Sequence, residues 1–146
     1  QQPGVGCVYP QQVDAHGQPQ DHARRLPTPG ALLRRYLGGA ARRRVRVAAP
    51  DWANAALLLF HSVAYQRIQG FDEAYHMYCE DVDICLRLQL AGYRLAEAQD
   101  ACVVHVGQRA SHRQWRHLGW HLRSLWRLWH SPAYQQFQQN HARRVG

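Results

Sequence analysis

The segment "EDVDICLRLQLAGY", Glu80 to Tyr93, constrains the fold most. Its spacing puts Glu80, Asp81 and Asp83 in the first turn of a helix. Free backbone N–H groups and the positive end of the helix dipole favour carboxylates there. Val82, Cys85, Leu86 and Leu90 recur at helical spacing as an apolar stripe. Gly92 stands where a left-handed residue closes a helix. Apolar runs of strand length lie on either side. They are "GVGCVYP" (Gly4 to Pro10), closed by its proline, "AALLLF" (Ala55 to Phe60), read as a central strand, and "ACVVHVG" (Ala101 to Gly107). Strands alternating with helices predict an α/β layered domain.

The remaining punctuation fits that plan. "DAHGQPQ" (Asp14 to Gln20) is turn chemistry, and a short helix is expected over Leu32 to Leu37. "HSVAYQRIQG" predicts a helix with Ser62 as N-cap and Gly70 as its stop. Residues 112 to 130 return to helical periodicity. The "RRRVR" run, Arg42 to Arg46, is read as a solvated face, with a phosphate clamp as the alternative.

All 18 basic residues are arginine, and net charge is +8. The planar guanidinium fork matches phosphates and carboxylates, so the partner should be anionic. A nucleotide, a nucleic acid and an acidic membrane all satisfy that condition. Cys7, Cys79, Cys85 and Cys102 form no CxxC pair and no zinc spacing, and are read as free thiols of a reducing compartment. The sequence shows no signal peptide, and Ala55 to Phe60 is far too short to span a bilayer. The first residue is Gln1 rather than methionine, as in a fragment or a processed product.

Five of the ten acidic residues fall between Asp72 and Asp83 in this otherwise basic chain. Capping accounts for part of that cluster, and Asp83 is placed to pair with Arg87 one turn later. One cap needs one side chain, however, so the adjacent pair Glu80–Asp81 leaves a carboxylate to point elsewhere. A carboxylate at a helix mouth in a basic cleft can act as a general base.

Four features in order carry a resemblance. They are an apolar strand after Trp52, "GFDE" at Gly70 to Glu73, "YCEDVDICLRLQLAGY" at Tyr78 to Tyr93, and "HVGQRAS" at His105 to Ser111. Residues 50 to 111 resemble the C-terminal half of family 2 glycosyltransferases, in the rhamnosyltransferase-like branch that builds bacterial cell-surface polysaccharides. The opening "GVGCVYPQQVDAHGQ" is also similar to the family, less distinctively.

The resemblance implies a GT-A type nucleotide-sugar transferase sandwich, of which residues 1–110 would be the acceptor-side part. It implies an inverting transfer from a nucleotide-sugar donor to a glycan or lipid-linked acceptor. Asp81 would be the base that deprotonates the acceptor hydroxyl, with Glu80 orienting neighbouring groups. His105 would help hold a divalent metal, Mn or Mg, or the diphosphate; as a lone histidine ending an apolar strand, it is equally a satisfied core residue. Arg109 and the backbone around it would contact the diphosphate. Trp52 and Tyr78 are either sugar-facing walls or core. "DVD", Asp81 to Asp83, imitates the family's metal-binding DxD, but that motif lies upstream of everything matched here. The family's nucleotide-binding half has no counterpart in the chain, so the remaining metal ligands are expected upstream and the isolated chain is expected to lack much of the donor site. The family often has a glycine near Ala55 and a basic pair at His61 and Ser62, where this chain departs.

Residues 111–146 read as a basic, Trp-rich helical tail. No acidic residue follows Asp100, whereas seven arginines, six histidines and four of the five tryptophans do. Trp115, Leu118, Leu122, Leu125, Trp126 and Trp129 share a face at helical spacing, with Trp120 off it. The helix could dock on the domain, lie on an anionic membrane, or bind nucleic acid. Glycosyl transfer in the cytoplasm, at the inner face of the membrane if the tail engages lipid, is the first reading. A non-catalytic basic module for nucleic acid or an anionic membrane is the alternative, with nucleic acid the less favoured partner.

Overall fold

The computed structural model describes residues 4–37, 47, 49–106 and 115–145. The elements in chain order are β1 (Val5–Val13), β2 (Ala23–Arg24), α1 (Pro29–Leu37), β3 (Trp52–Ala53), β4 (Leu59–Phe60), α2 (Ser62–Arg67), α3 (Glu80–Leu90), β5 (Arg94–Val104), α4 (Trp115–His130) and α5 (Pro132–Val145). The result is a mixed α/β architecture, as the alternation predicts. The Arg42 to Arg46 run lies outside the described residues.

The main sheet has the order β4-β1-β5, with β1 parallel to β5 and antiparallel to β4. A separate pair joins β2 to β3, Arg24 opposite Trp52. Strand β1 does not stop at Pro10. It continues to Val13, and Pro10 falls beyond the β4 pairing, where the β5 register breaks between Pro10 and Gln11. A sheet tolerates proline at such places because a regular ladder bond is not required there. The turn after β1 forms as expected: Asp14 Oδ1 accepts from the N–H groups of His16 and Gln18, each at 2.9 Å.

"AALLLF" is not a central strand. Only Leu59–Phe60 pair, at the sheet edge, while Ala55, Ala56 and Leu57 form an exposed turn. Asn54 causes the break: its Oδ1 accepts from Ala56 N–H at 3.3 Å and from Gln12 Nε2 at 2.7 Å. Ser62 is likewise not the N-cap of α2. His61 occupies that position and makes no side-chain cap bond, and the helix ends earlier than Gly70, at Arg67 with Ile68 as C-cap, after which Gln69 (φ +61°) and Gly70 (φ +67°) are both left-handed. Strand β5 begins at Arg94, seven residues before the predicted Ala101, and ends at Val104.

Helix α3 forms the centre. Val82, Asp83, Ile84, Cys85, Leu86 and Leu88 are buried, more than one stripe provides, because neighbours cover most of its circumference. Its C-terminus closes as the glycine predicts. Tyr93 N–H donates to Leu88 and Gly92 N–H to Gln89, with Gly92 at φ +90°. The core joins α3 to Trp52, Tyr75, Leu125, Leu128 and Tyr134. Helices α4 and α5 therefore pack back on the body. Trp129 Nε1 donates to Pro27 O at 2.8 Å, and the Tyr134 hydroxyl to the same oxygen at 3.4 Å.

The predicted apolar face of α4 divides. Leu125 is buried and Trp129 half-buried, whereas Trp115, Leu118, Leu122 and Trp126 are exposed; Leu128, outside the predicted face, is buried as well. Trp120, off that face, is half-buried and meets His76 with ring centroids 5.1 Å apart. All four cysteines are unpaired; Cys7, Cys79 and Cys85 are buried and Cys102 is exposed.

Candidate functional site

Helix α3 runs opposite to β1 and β5, which fixes where its carboxylates lie. At its C-terminal end, a Cβ on Gly6 of β1 would come within 2.6 Å of Tyr93 Cβ, and Arg94 N–H bonds Gly4 O. At its other end, the backbone N–H of Ala55 lies near enough to the Asp81 carboxylate to favour its charge. Ala55 follows Asn54, which is bonded to Gln12 near the end of β1. His105 N–H bonds Val13 O at the same edge. The Glu80–Asp81 pair and His105 thus share the carboxyl-terminal edge of the parallel strands, where α/β sheets place their ligands. A groove of about 1050 Å³, lined by Gln89, Tyr93 and Arg94, opens at the opposite end and contains neither carboxylate.

Asp81 is half-buried, and its Oδ1 accepts from Val82 N–H at 2.8 Å. Part of the acid is therefore structural, since no side chain of Cys79 caps the helix. Burial first, and the neighbouring Glu80 charge second, raise its pKa to about 6. The N–H groups of Val82 and Ala55 and the charge of Arg24 oppose the rise without cancelling it. A carboxylate with this pKa is ionised near neutrality and still a useful proton acceptor. Glu80 is half-buried, and its Oε2 is buried with no hydrogen-bond partner.

Asp83 points elsewhere. Its Oδ2 accepts from Arg87 Nε at 2.7 Å, and Arg87 also donates to Ile68 O at 2.6 Å. Asp81 and Asp83 serve different partners, and among the described residues no group of three or more His, Cys, Asp or Glu is gathered for a metal ion. His105 is half-buried, with Nδ1 buried and unpartnered. An unpartnered ring nitrogen of that kind could serve as a single contributor to a metal site.

The segment entering α3 is strained. Tyr78 and Cys79 are consecutive non-glycine residues at φ +69° and +67°, a conformation costing roughly 1–2 kcal/mol per residue. Helix α4 holds it in place. The Tyr78 hydroxyl is 3.1 Å from His117 Nδ1, its ring stacks on His121 at 4.9 Å, and Ser124 Oγ donates to Met77 O at 2.7 Å. Trp52 is 8% exposed, donates from Nε1 to Arg25 O at 2.9 Å, and has the Arg24 guanidinium over its ring at 5.1 Å. That placement matches the core alternative for Trp52. Arg109 lies outside the described residues.

Gln12, Asn54, Arg24, His117 and His121 escaped the sequence reading. Each reaches the site through contacts many residues apart, and no local motif marks them.

No family model matches the chain, and no solved structure matches it. Among curated proteins, rhamnosyltransferase WbbL of Escherichia coli (strain K12) is 37% identical over 78 residues, covering 53% of this chain and 30% of that protein. The N-acetylglucosaminyl-diphospho-decaprenol L-rhamnosyltransferase of Mycobacterium tuberculosis (strain CDC 1551 / Oshkosh) is 41% identical over 54 residues, 37% of this chain and 18% of that protein. The protein of the same name from strain ATCC 25618 / H37Rv matches equally. The chain spans less than a third of the length of these relatives. Over the matched part it is similar to glycosyltransferases, and none of these names carries nucleic-acid binding.

Proposed function

We propose that the chain is the acceptor-side part of a family 2, GT-A type glycosyltransferase acting in bacterial cell-surface polysaccharide synthesis. The whole protein transfers a sugar from a nucleotide-sugar donor to a glycan or lipid-linked acceptor, with inversion. The similar proteins' names suggest rhamnose as the sugar and make a polyprenyl-diphosphate-linked acceptor the first to test. The observation that carries the reading is Asp81, half-buried at the mouth of α3 on the ligand edge of the sheet, with its pKa raised to about 6.

In this reading Asp81 takes the acceptor hydroxyl proton as the acceptor oxygen bonds the anomeric carbon. The bond from that carbon to the diphosphate oxygen breaks, and the nucleoside diphosphate leaves with the electron pair. Glu80 Oε2, buried and unpartnered, accepts a second acceptor hydroxyl. Tyr78 borders the same mouth, and Arg109 is assigned to the diphosphate. A divalent ion, Mn or Mg, would supply charge compensation for the leaving diphosphate. His105 would be the ligand this chain contributes, through its unpartnered Nδ1, with the others expected upstream of the chain. The donor places the reaction in the cytoplasm, at the inner face of the membrane for a lipid-linked acceptor.

The test is Asp81→Asn in the full-length enzyme. Turnover should fall by at least about a hundredfold, as loss of a general base commonly costs, with donor affinity nearly unchanged. Near-normal turnover overturns the assignment. Asp83→Asn is the comparison and should act mainly on stability.

A further inference from the structure

Trp115, Leu118, Leu122 and Trp126 are 88%, 39%, 58% and 65% exposed. At about 3.6 residues per turn they form one stripe along α4. Arg123 and His130 are exposed beside it. The opposite side of the helix is fixed to the body through Leu125, Leu128 and the Ser124 bond to Met77. The stripe is therefore presented outward by a helix already docked, so engaging a partner needs no unfolding.

We propose that this stripe seats on an anionic lipid surface, with α4 lying in the plane of the membrane interface. Charge selects that occupant. The first turns of α4 and α5 carry no acid, and no acidic residue follows Asp100 anywhere in the sequence. Two copies joined through this face would bring like charges together. Nucleic acid would engage the arginines but leave Leu118 and Leu122 without a role. Anionic headgroups meet Arg123, while the indoles and leucines enter the acyl boundary, where tryptophan is favoured. Trp126 is braced for this, its ring 4.1 Å from that of His130, whose Nδ1 lies 2.7 Å from Trp126 O. The contact is interfacial: among the described residues no helix is long and apolar enough to cross a membrane. The proposal does not depend on the glycosyl-transfer reading.

The experiment is co-sedimentation of the full chain with phosphatidylcholine vesicles, with and without phosphatidylglycerol. Binding should require phosphatidylglycerol, fall as salt rises, and shift tryptophan emission to the blue. The double variant Leu122→Ser/Trp126→Ser should weaken it at least about tenfold, from the apolar burial removed, with the unfolding midpoint unchanged because both side chains are exposed. Arg123→Gln should reduce the salt dependence. The proposal is overturned by absence of binding to phosphatidylglycerol vesicles, by undiminished binding of the double variant, or by a dimer of the wild-type chain that the double variant converts to monomer.

Discussion

The Tyr78 hydroxyl and His117 Nδ1 lie 3.1 Å apart, joining the residue two places before Glu80 to a helix thirty-nine residues later. Tyr78 and its neighbour Cys79 are both left-handed, so something must hold them there. Removing the hydroxyl by Tyr78→Phe keeps the stack on His121 and should cost about 1 kcal/mol, the usual net value of one hydrogen bond. In a double-mutant cycle by urea unfolding, His117→Ala should add little once Tyr78 is phenylalanine. Fully additive losses would show that α4 does not hold the entrance of α3.

Asp81 should make stability depend on pH. Its folded pKa, about 6, lies above the ordinary aspartate value because burial disfavours the charge. The fold prefers the neutral carboxyl. Its contribution is full below about pH 4 and is lost as pH rises through 6, by up to about 3 kcal/mol. Asp81→Asn cannot titrate. The stability of the wild-type protein relative to this variant should fall between pH 4 and pH 7. Parallel urea-unfolding stabilities across that range would contradict the burial argument.

The two carboxylate–arginine pairs of this region should differ sharply in value. Asp83 is 3% exposed, and Asp83→Ala leaves the Arg87 guanidinium, itself largely buried, without its carboxylate. The expected loss is about 3 kcal/mol. Asp72 and Arg127 pair at 2.9 Å with side chains 37% and 46% exposed, and Asp72→Ala should cost at most about 1 kcal/mol because solvent screens the pair. Equal losses in thermal unfolding would remove the distinction.

The sequence by itself determined α3 and both of its ends. First-turn acids, an apolar repeat and a glycine that can take φ +90° act within a few residues, so the chain declares them locally. The same holds for the Asp14 turn, whose carboxylate bonds N–H groups two and four residues on. The adjacent Glu80–Asp81 pair could likewise be singled out, because one cap needs only one acid. Tertiary structure alone decided which parts of the apolar run at Ala55 pair. Asn54 bonds Gln12 forty-two residues away, and that bond interrupts what periodicity reads as one strand. It also decided which side of α4 is buried. Helical spacing marks both Leu125 and Trp126 as apolar, but only the position of the Met77–Tyr78 segment against Ser124 and His121 turns one inward and the other out. The protonation of Asp81 belongs to the same class, since its pKa is raised first by burial under the folded chain and is opposed by the charge of Arg24, fifty-seven positions earlier.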